Sequence, residues 1–212
     1  MRDIEYILGL ERIDNDIYRG PAVESELTRT FGGQVAAQAL VAATETVDGD
    51  KTVHSLHGYF VAPGKSADPT VFLVDRLRDG RSFSSRQVRA VQDGETIFSM
   101  QASFHRRDDV GPEHSDRMRD VPMPETLTDD PSTMPRSSRN LLEEWGDWDI
   151  HVVPPESYEH NKYSPSQQVV WFRSRRPLPD DETFHICTLA YMSDMTLLHS
   201  SLVPHPDHRV QM

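Results

Sequence analysis

The stretch LRDGRSFSSRQVRAVQDGETIFSMQASF, residues 77–104, decides the fold. It holds two runs with strand character, one from Ser82 and one from Thr96, and a third such run, TVFLVDRLR, leads into it. The dipeptides Asp79-Gly80 and Asp93-Gly94 separate the three runs. Asp-Gly suits a two-residue type I′ turn because both central residues need positive φ. The pattern therefore predicts an antiparallel meander of three strands.

A helix is predicted ahead of the meander, in residues 32–47, GGQVAAQALVAATETV. Two glycines open this segment, and its small apolar side chains repeat at helical spacing at Val35, Ala36, Ala39, Leu40 and Ala43. A further strand, VHSLHGYFVA, is expected from residue 53, and a short first strand within residues 8–19. A long, narrow-sided helix wrapped by a curved antiparallel sheet is a hotdog, which we predict for residues 1–106.

The rest of the chain predicts a linker and the beginning of a second, similar unit. Residues 107–148 are rich in Pro, Asp and Ser without an apolar period, which is typical of a linker. Residues 149–212 then offer a strand, QQVVWFRSR, and a second helical pattern from Asp181 to Leu202. The predicted fold class is α+β, a double hotdog whose second hotdog is incomplete.

The second predicted helix has no sheet to cover its apolar face, because only ten residues follow Leu202. Exposed apolar area costs roughly 25 cal/mol per Å². We therefore expect either that a partner chain covers this helix, in a homo-oligomer, or that the chain is a fragment of a longer protein.

Composition and charge restrict the partners. The chain has 212 residues, a net charge of −12 and 36% hydrophobic residues. Its negative charge repels nucleic acid and anionic membrane surfaces, so any phosphate-bearing ligand needs a local basic cluster. No apolar run approaches the roughly 20 residues of a membrane span. The single cysteine, Cys187, fits a reducing compartment, and the N-terminus lacks the features of a signal peptide. We expect a cytoplasmic protein without membrane insertion.

Asp194 is the candidate catalytic residue. On the predicted helix its neighbours one turn away are apolar, namely Ala190, Tyr191, Leu197 and Leu198. Desolvation of a carboxylate on such a face raises its pKa towards the range of a general base. In the alternative interpretation, Asp194 bonds a neighbouring amide or serine, or the helix breaks near Ser193. The pattern alone leaves both interpretations open.

Arginines are densest in the meander, and they are the candidate substrate-binding residues. One or two of them could serve as charge-assisted anchors for the phosphates of a substrate such as coenzyme A. The alternative is that they form the solvated face of a strand. The four residues are Arg78, Arg81, Arg86 and Arg89.

No metal or cofactor is expected. His54 and His57 are separated by three residues and should lie on opposite faces of their strand. The late histidines lack helical spacing. The sequence contains no G-x-S-x-G elbow, no P-loop and no dinucleotide fingerprint. We expect close packing rather than phosphate binding at Gly32-Gly33.

Four segments together resemble type II acyl-CoA thioesterases. They are FGGQVAAQAL from residue 31, HSLHGYFVAPG from 54, the meander of residues 77–104 and LAYMSDMTLL from 189. Members of this family carry two hotdog units in one chain and hydrolyse acyl-CoA to free fatty acid and coenzyme A. The resemblance spans most of the chain outside the linker.

The resemblance also implies a mechanism. In the family a water held by an Asp, a Thr or Ser, and a Gln attacks the thioester carbonyl, without a covalent enzyme intermediate. The Asp lies in a Y-x-S-D context, which here assigns it to Asp194. The other two members would lie beyond Met212. Since losing one preorganised donor typically costs about a hundredfold, we expect this chain alone to be a poor enzyme.

Two other functions are compatible with the sequence. The chain could be a non-catalytic acyl-CoA-binding or subunit-interaction module. A hotdog could also hydrate an enoyl-CoA, but that chemistry needs an Asp and a His placed over the substrate, and no such pair stands out on one helix. The sequence predicts neither the acyl-chain length nor the oligomeric state.

Overall fold

The computed structural model describes residues 3–23, 25, 29–108, 110–127, 145–159, 166–205 and 207. Its contacts divide the chain into two compact units. The first unit comprises Met1–Gly111 and Pro179–Ser193, and the second comprises Pro112–Leu178 and Asp194–Met212. Residues 128–144 of the predicted linker lie outside the described residues.

The first unit contains the predicted sheet. Its six strands are antiparallel in the order β1-β2-β4-β5-β6-β3, and the meander of residues 77–104 supplies the centre of the sheet. The short strand expected within residues 8–19 is a hairpin of two strands. The strands are β1 (Glu11–Asp14), β2 (Ile17–Gly20), β3 (Lys51–Phe60), β4 (Thr70–Asp79), β5 (Phe83–Gln92) and β6 (Glu95–Arg106).

Only one of the two predicted type I′ turns forms. Asp93 and Gly94 have φ of 49° and 81°, so the turn between β5 and β6 is confirmed. The turn predicted at Asp79-Gly80 is wrong, because β4 continues through Asp79 and neither residue has positive φ. Residues 80–82 form a longer connection instead, closed by a hydrogen bond from the Gly80 amide to the Phe83 carbonyl (2.8 Å).

The predicted central helix is α2 (Gly32–Thr44), and it is buried on almost every side. Phe72, Val88 and Phe104 of the sheet pack on one side of it and are fully buried. A short helix, α1 (Ile4–Leu8), contacts α2 as well and caps its own first turn with Asp3. Helix α1 was missed from the sequence because five residues are too few to show a period.

The second helical pattern is interrupted. It forms α3 (Glu182–Ser193) and a short helix α4 (Leu197–Ser200), separated by residues 194–196. Helix α3 packs along α2, and its contacts group it with the first compact unit, whereas the sequence assigns residues 149–212 to the second hotdog. Cys187 and Tyr191 are buried, whereas Leu189 stays 68% exposed. Within the described part of the chain no helix combines the length and apolar character needed to cross a membrane.

The second unit contains a two-stranded sheet of β7 (Trp148–Val152) and β8 (Val170–Ser174). Part of the predicted linker is attached to it. The Trp171 indole donates to the Pro122 carbonyl (3.0 Å), and Arg173 pairs with Glu125 (2.9 Å). Residues 122–125 are therefore docked on this hairpin rather than free.

Gly33 allows α2 and α3 to approach closely. A Cβ at residue 33 would lie 2.2 Å from the Tyr191 carbonyl oxygen and 2.5 Å from the Phe31 ring. The Phe31 and Tyr191 rings meet edge to face, with centroids 5.1 Å apart. The close-packing role expected for this glycine is therefore observed.

We predict that Gly33→Ala destabilises the protein by about 2 kcal/mol or more, because a backbone oxygen cannot move aside as a flexible side chain would. Chemical denaturation of the purified variant measures this loss. Gly49→Ala is the matched control, since no atom lies within 4 Å of its added Cβ. Equal unfolding free energies for the two variants would show that the helices separate without cost.

Candidate active site

Asp194 lies directly after the last residue of α3, where the helical pattern breaks. Asp194 is therefore not on a continuous apolar helix face, and the alternative interpretation, in which the helix breaks near Ser193, is confirmed. The Ser193 hydroxyl donates to the Ala190 carbonyl (2.8 Å) in the final turn of α3, and Asp194 itself is half-buried. Asp194 therefore follows the carbonyl end of α3 and lies three residues before Leu197, the first residue of α4.

The turn that precedes Asp194 is held rigidly. Tyr191 is 3% exposed, and its ring and carbonyl oxygen both contact the first residues of α2. A side chain three residues further along the chain therefore starts from a fixed backbone. A general base needs such a fixed start because its reach is limited to one hydrogen bond or one water.

Sequence reasoning missed the buried hydroxyls of Thr30 and Thr188 in the first unit. Thr188 on α3 is 4% exposed, and Thr30 precedes the first residue of α2. The Oγ1 atoms of both are buried without a hydrogen-bond partner. A threonine at core spacing on an apolar helix was the available signal for Thr188, whereas Thr30 has no helical or strand context that would have marked it.

Arg86 differs from the other three candidate arginines because it is buried, at 1% exposure. It lies on the face of β5 that faces α2, in phase with Ser84, Val88 and Ala90. Its Nε donates to the Thr46 hydroxyl (2.7 Å), and its Nη2 to the Thr46 carbonyl (2.9 Å) and Asp79 (2.6 Å). Its Nη1 donates to two further carbonyls, at 3.0 Å each.

All five N–H donors of Arg86 are thus used inside the protein. This removes Arg86 from the candidate phosphate ligands. It is a structural cation that joins the segment after α2 to the connection between β4 and β5. Its hydrogen bond holds the pKa of the Asp79 carboxyl below the usual range. The alternation of β5 carried this signal, because residue 86 shares the phase of its apolar neighbours.

Arg78, Arg81 and Arg89 are exposed, and no ion pair joins any of them to another described residue. Arg78, near the end of β4, and Arg81, in the β4–β5 connection, lie on either side of Gly80. The Arg78 guanidinium folds over this glycine, with Nε 3.2 Å from where a Cβ would lie. Arg89 lies further along β5, on the outer face of the sheet. The structure therefore brings together two of the four arginines.

Cys187 is a core residue, as expected. Burial raises the pKa of its thiol to about 12, which leaves it unreactive at neutral pH. Within the described residues, no group of three or more His, Cys, Asp or Glu side chains could hold a metal ion.

The prediction that His54 and His57 lie on opposite faces is wrong. A bulge between Val53 and Ser55 shifts the alternation of β3. The His54 ring therefore contacts the Ser103 hydroxyl at 2.9 Å, on the same outer face of the sheet that carries His57.

A six-stranded antiparallel sheet wrapped around a central helix defines a hotdog fold. A solved protein from Alicyclobacillus acidocaldarius, described as having a hot dog fold, superposes with a TM-score of 0.71 at 22% identity, covering 96% of this chain and 73% of its own. This likeness establishes the fold class alone.

Sequence comparison gives the family. Residues 24–105 match the acyl-CoA thioesterase N-terminal domain, and residues 142–212 match the acyl-CoA thioesterase family. Acyl-CoA thioesterase 2 of Haemophilus influenzae is 35% identical over 97% of this chain and 74% of its own. Human acyl-coenzyme A thioesterase 8 is 36% identical over 96% of this chain and 69% of its own.

A solved structure is similar over the same extent. The acyl-CoA thioesterase II TesB2 from Mycobacterium marinum has a TM-score of 0.84 and 49% identity, covering 98% of this chain and 74% of its own. The chain belongs to the acyl-CoA thioesterase family, which confirms the resemblance inferred from its motifs.

We predict that Arg86→Lys lowers the free energy of unfolding by about 3 kcal/mol, because one ammonium group cannot replace five fixed donors at a buried site. Arg89→Lys on the exposed face of the same strand is the matched control and should change stability by less than about 0.5 kcal/mol. Urea titration of both variants tests the difference. Similar midpoints for the two would mean that the internal bonds of Arg86 contribute little.

Proposed function

We propose that this protein hydrolyses acyl-CoA to a free fatty acid and coenzyme A. The observation that carries the proposal is the extent of its similarity to proteins named acyl-CoA thioesterases, at 35–36% identity over almost the whole chain. We also propose that the reaction takes place in the cytoplasm. Recovery of the native protein in the membrane fraction would contradict that placement.

Asp194 is the proposed general base. It accepts a proton from a water molecule as the water oxygen attacks the thioester carbonyl carbon. The carbon–sulfur bond then breaks, and the thiolate of coenzyme A leaves and takes up a proton. The position of Asp194 supports this role, because it directly follows a helical turn that packs at the start of α2. The hydroxyl and glutamine partners that the family uses are not assigned to residues of this chain.

Arg78 and Arg81 are the proposed anchors for the phosphates of coenzyme A. The chain carries a net charge of −12, so long-range electrostatics oppose binding of the ligand's phosphates. Two exposed guanidinium groups on either side of Gly80, neither of them in a described ion pair, provide the local positive potential that such a ligand needs. Arg89 is a weaker candidate, because it lies further along β5, away from this pair.

We expect Asp194→Asn to lower the hydrolysis rate by about a hundredfold or more, as loss of a general base generally does. Free-thiol release from a medium and a long acyl-CoA measures the rate, in this chain and in a version extended through any downstream coding sequence. The hundredfold loss is expected in the extended version, because this chain alone should be a poor enzyme. Cys187 is buried, so it should add little thiol background.

Asp181→Asn is the matched control for Asp194→Asn. Asp181 accepts a hydrogen bond from the Phe184 amide (3.0 Å) at the start of α3, and Asn caps a helix equally well. Asp194→Asn activity above half that of Asp181→Asn would exclude Asp194 as the base. Binding of acyl-CoA without turnover in either version would instead support a non-catalytic binding module.

We also infer that the protein is a homo-oligomer. Strand β3 forms an edge of the sheet, and its ten residues contain no acidic residue and no proline, which are features that discourage pairing with another chain. Leu56, Tyr59 and Phe60 are 42%, 66% and 57% exposed on it. Sedimentation equilibrium should give at least twice the mass of one chain at micromolar concentration. A monomer throughout that range contradicts this inference.

A further inference from the structure

Arg86 connects two elements that its position in the sequence does not link. On one side it binds the hydroxyl and the carbonyl of Thr46, in the segment that follows α2. On the other side it binds the Arg78 carbonyl and the Asp79 carboxylate. A rigid, fully buried guanidinium thereby ties the connection between β4 and β5 to the core.

The two proposed phosphate anchors lie at this point of the chain, Arg78 near the end of β4 and Arg81 in the connection. The conformation of the connection is not that of a tight hairpin, because it contains no residue with positive φ and a register shift precedes it between Arg76 and Arg78. The bond from the Gly80 amide to Phe83 is its internal closure. Arg86 donates hydrogen bonds directly to Arg78 and Asp79. These bonds fix the backbone from which the Arg78 side chain extends.

We propose that Arg86, acting through Asp79, is a positioning residue for the coenzyme A phosphates, because it holds the β4–β5 connection in the conformation that presents Arg78 and Arg81 together. This inference rests on the proposed anchoring role of those two arginines. Arg86 itself contacts no ligand, since each of its donors is already bound.

Removing the charge of Asp79 distinguishes this positioning role from a simple electrostatic effect on phosphate binding. The carboxylate side chain of Asp79 is 49% exposed and lies between the two proposed anchors in the sequence, and the hydrogen bond from Arg86 keeps its pKa low, so it is ionised at neutral pH. If charge alone mattered, removing this carboxylate would strengthen phosphate binding. If Asp79 positions the connection, removing its hydrogen bond weakens phosphate binding instead.

Asp79→Ala and Asp79→Asn form a matched pair for the test. Both remove one negative charge, but only the asparagine keeps an oxygen that can accept the bond from Arg86 Nη2. We expect the dissociation constant for coenzyme A, measured by titration calorimetry on the whole chain, to be about three- to tenfold higher for Asp79→Ala than for Asp79→Asn. Thermal melts of both variants establish that each is folded at the titration temperature.

Dissociation constants within twofold of each other would overturn the positioning role, and so would equal tightening of both variants. Arg78→Ala and Arg81→Ala test the underlying assignment separately. Each should weaken coenzyme A binding by about tenfold, the usual scale for losing a charge-assisted bond. If neither variant weakens binding, the anchoring assignment fails, whatever the Asp79 pair shows. The hydrolytic function with Asp194 as the base would stand independently of both results.

Discussion

The burial of α2 on almost every side is the constraint on which the first unit depends. A helix that packs against a sheet on one side and another helix on the other can carry few large side chains. Its sequence accordingly alternates Gly33, Ala37 and other small residues with a few larger ones such as Leu40. At Gly33 the requirement becomes absolute, because the Tyr191 carbonyl oxygen occupies the space that a Cβ would need. The arrangement of α3, and hence the backbone that precedes Asp194, follows from this contact.

Much of this arrangement could be predicted from the sequence, since strong local signals specify it. The strand runs, the Asp93-Gly94 hairpin and the small-residue helix are each encoded within about ten residues, where backbone propensity and period are reliable. The turn at Asp79-Gly80 carries an equally good local signal and fails. There the buried Arg86, whose side chain comes from the next strand, binds Asp79 and the Arg78 carbonyl and so overrides the local preference. Tertiary contacts of this kind leave no trace in a dipeptide.

The candidate site, like the sheet, could be predicted only in part from the sequence. The Y-x-S-D context identifies Asp194 as a candidate, but the apolar period around it suggested one continuous helix, and the structure ends α3 at Ser193. An apolar period shows which residues are apolar but not whether they are helical. Met195, for example, is buried although it follows the end of the helix. A buried residue in a non-helical segment is indistinguishable by pattern from one in the next helical turn. The residue could therefore be chosen from the sequence, whereas the helix break near Ser193 could be offered only as one of two alternatives.

Burial gives the arginines of one motif different roles, although their sequence context is shared. The alternation of β5 turns Arg86 towards the core and Arg89 towards solvent, and the connection between β4 and β5 leaves Arg78 and Arg81 exposed. A buried guanidinium is stable only if its donors are satisfied, and satisfying all five of them makes it a tether. An exposed guanidinium is hydrated and can exchange that water for a phosphate. In a chain with a net charge of −12, an anionic ligand must find exposed cations that no acidic residue already neutralises. The buried arginine thus cannot bind such a ligand itself, and it can favour binding only by fixing the backbone that carries the exposed ones.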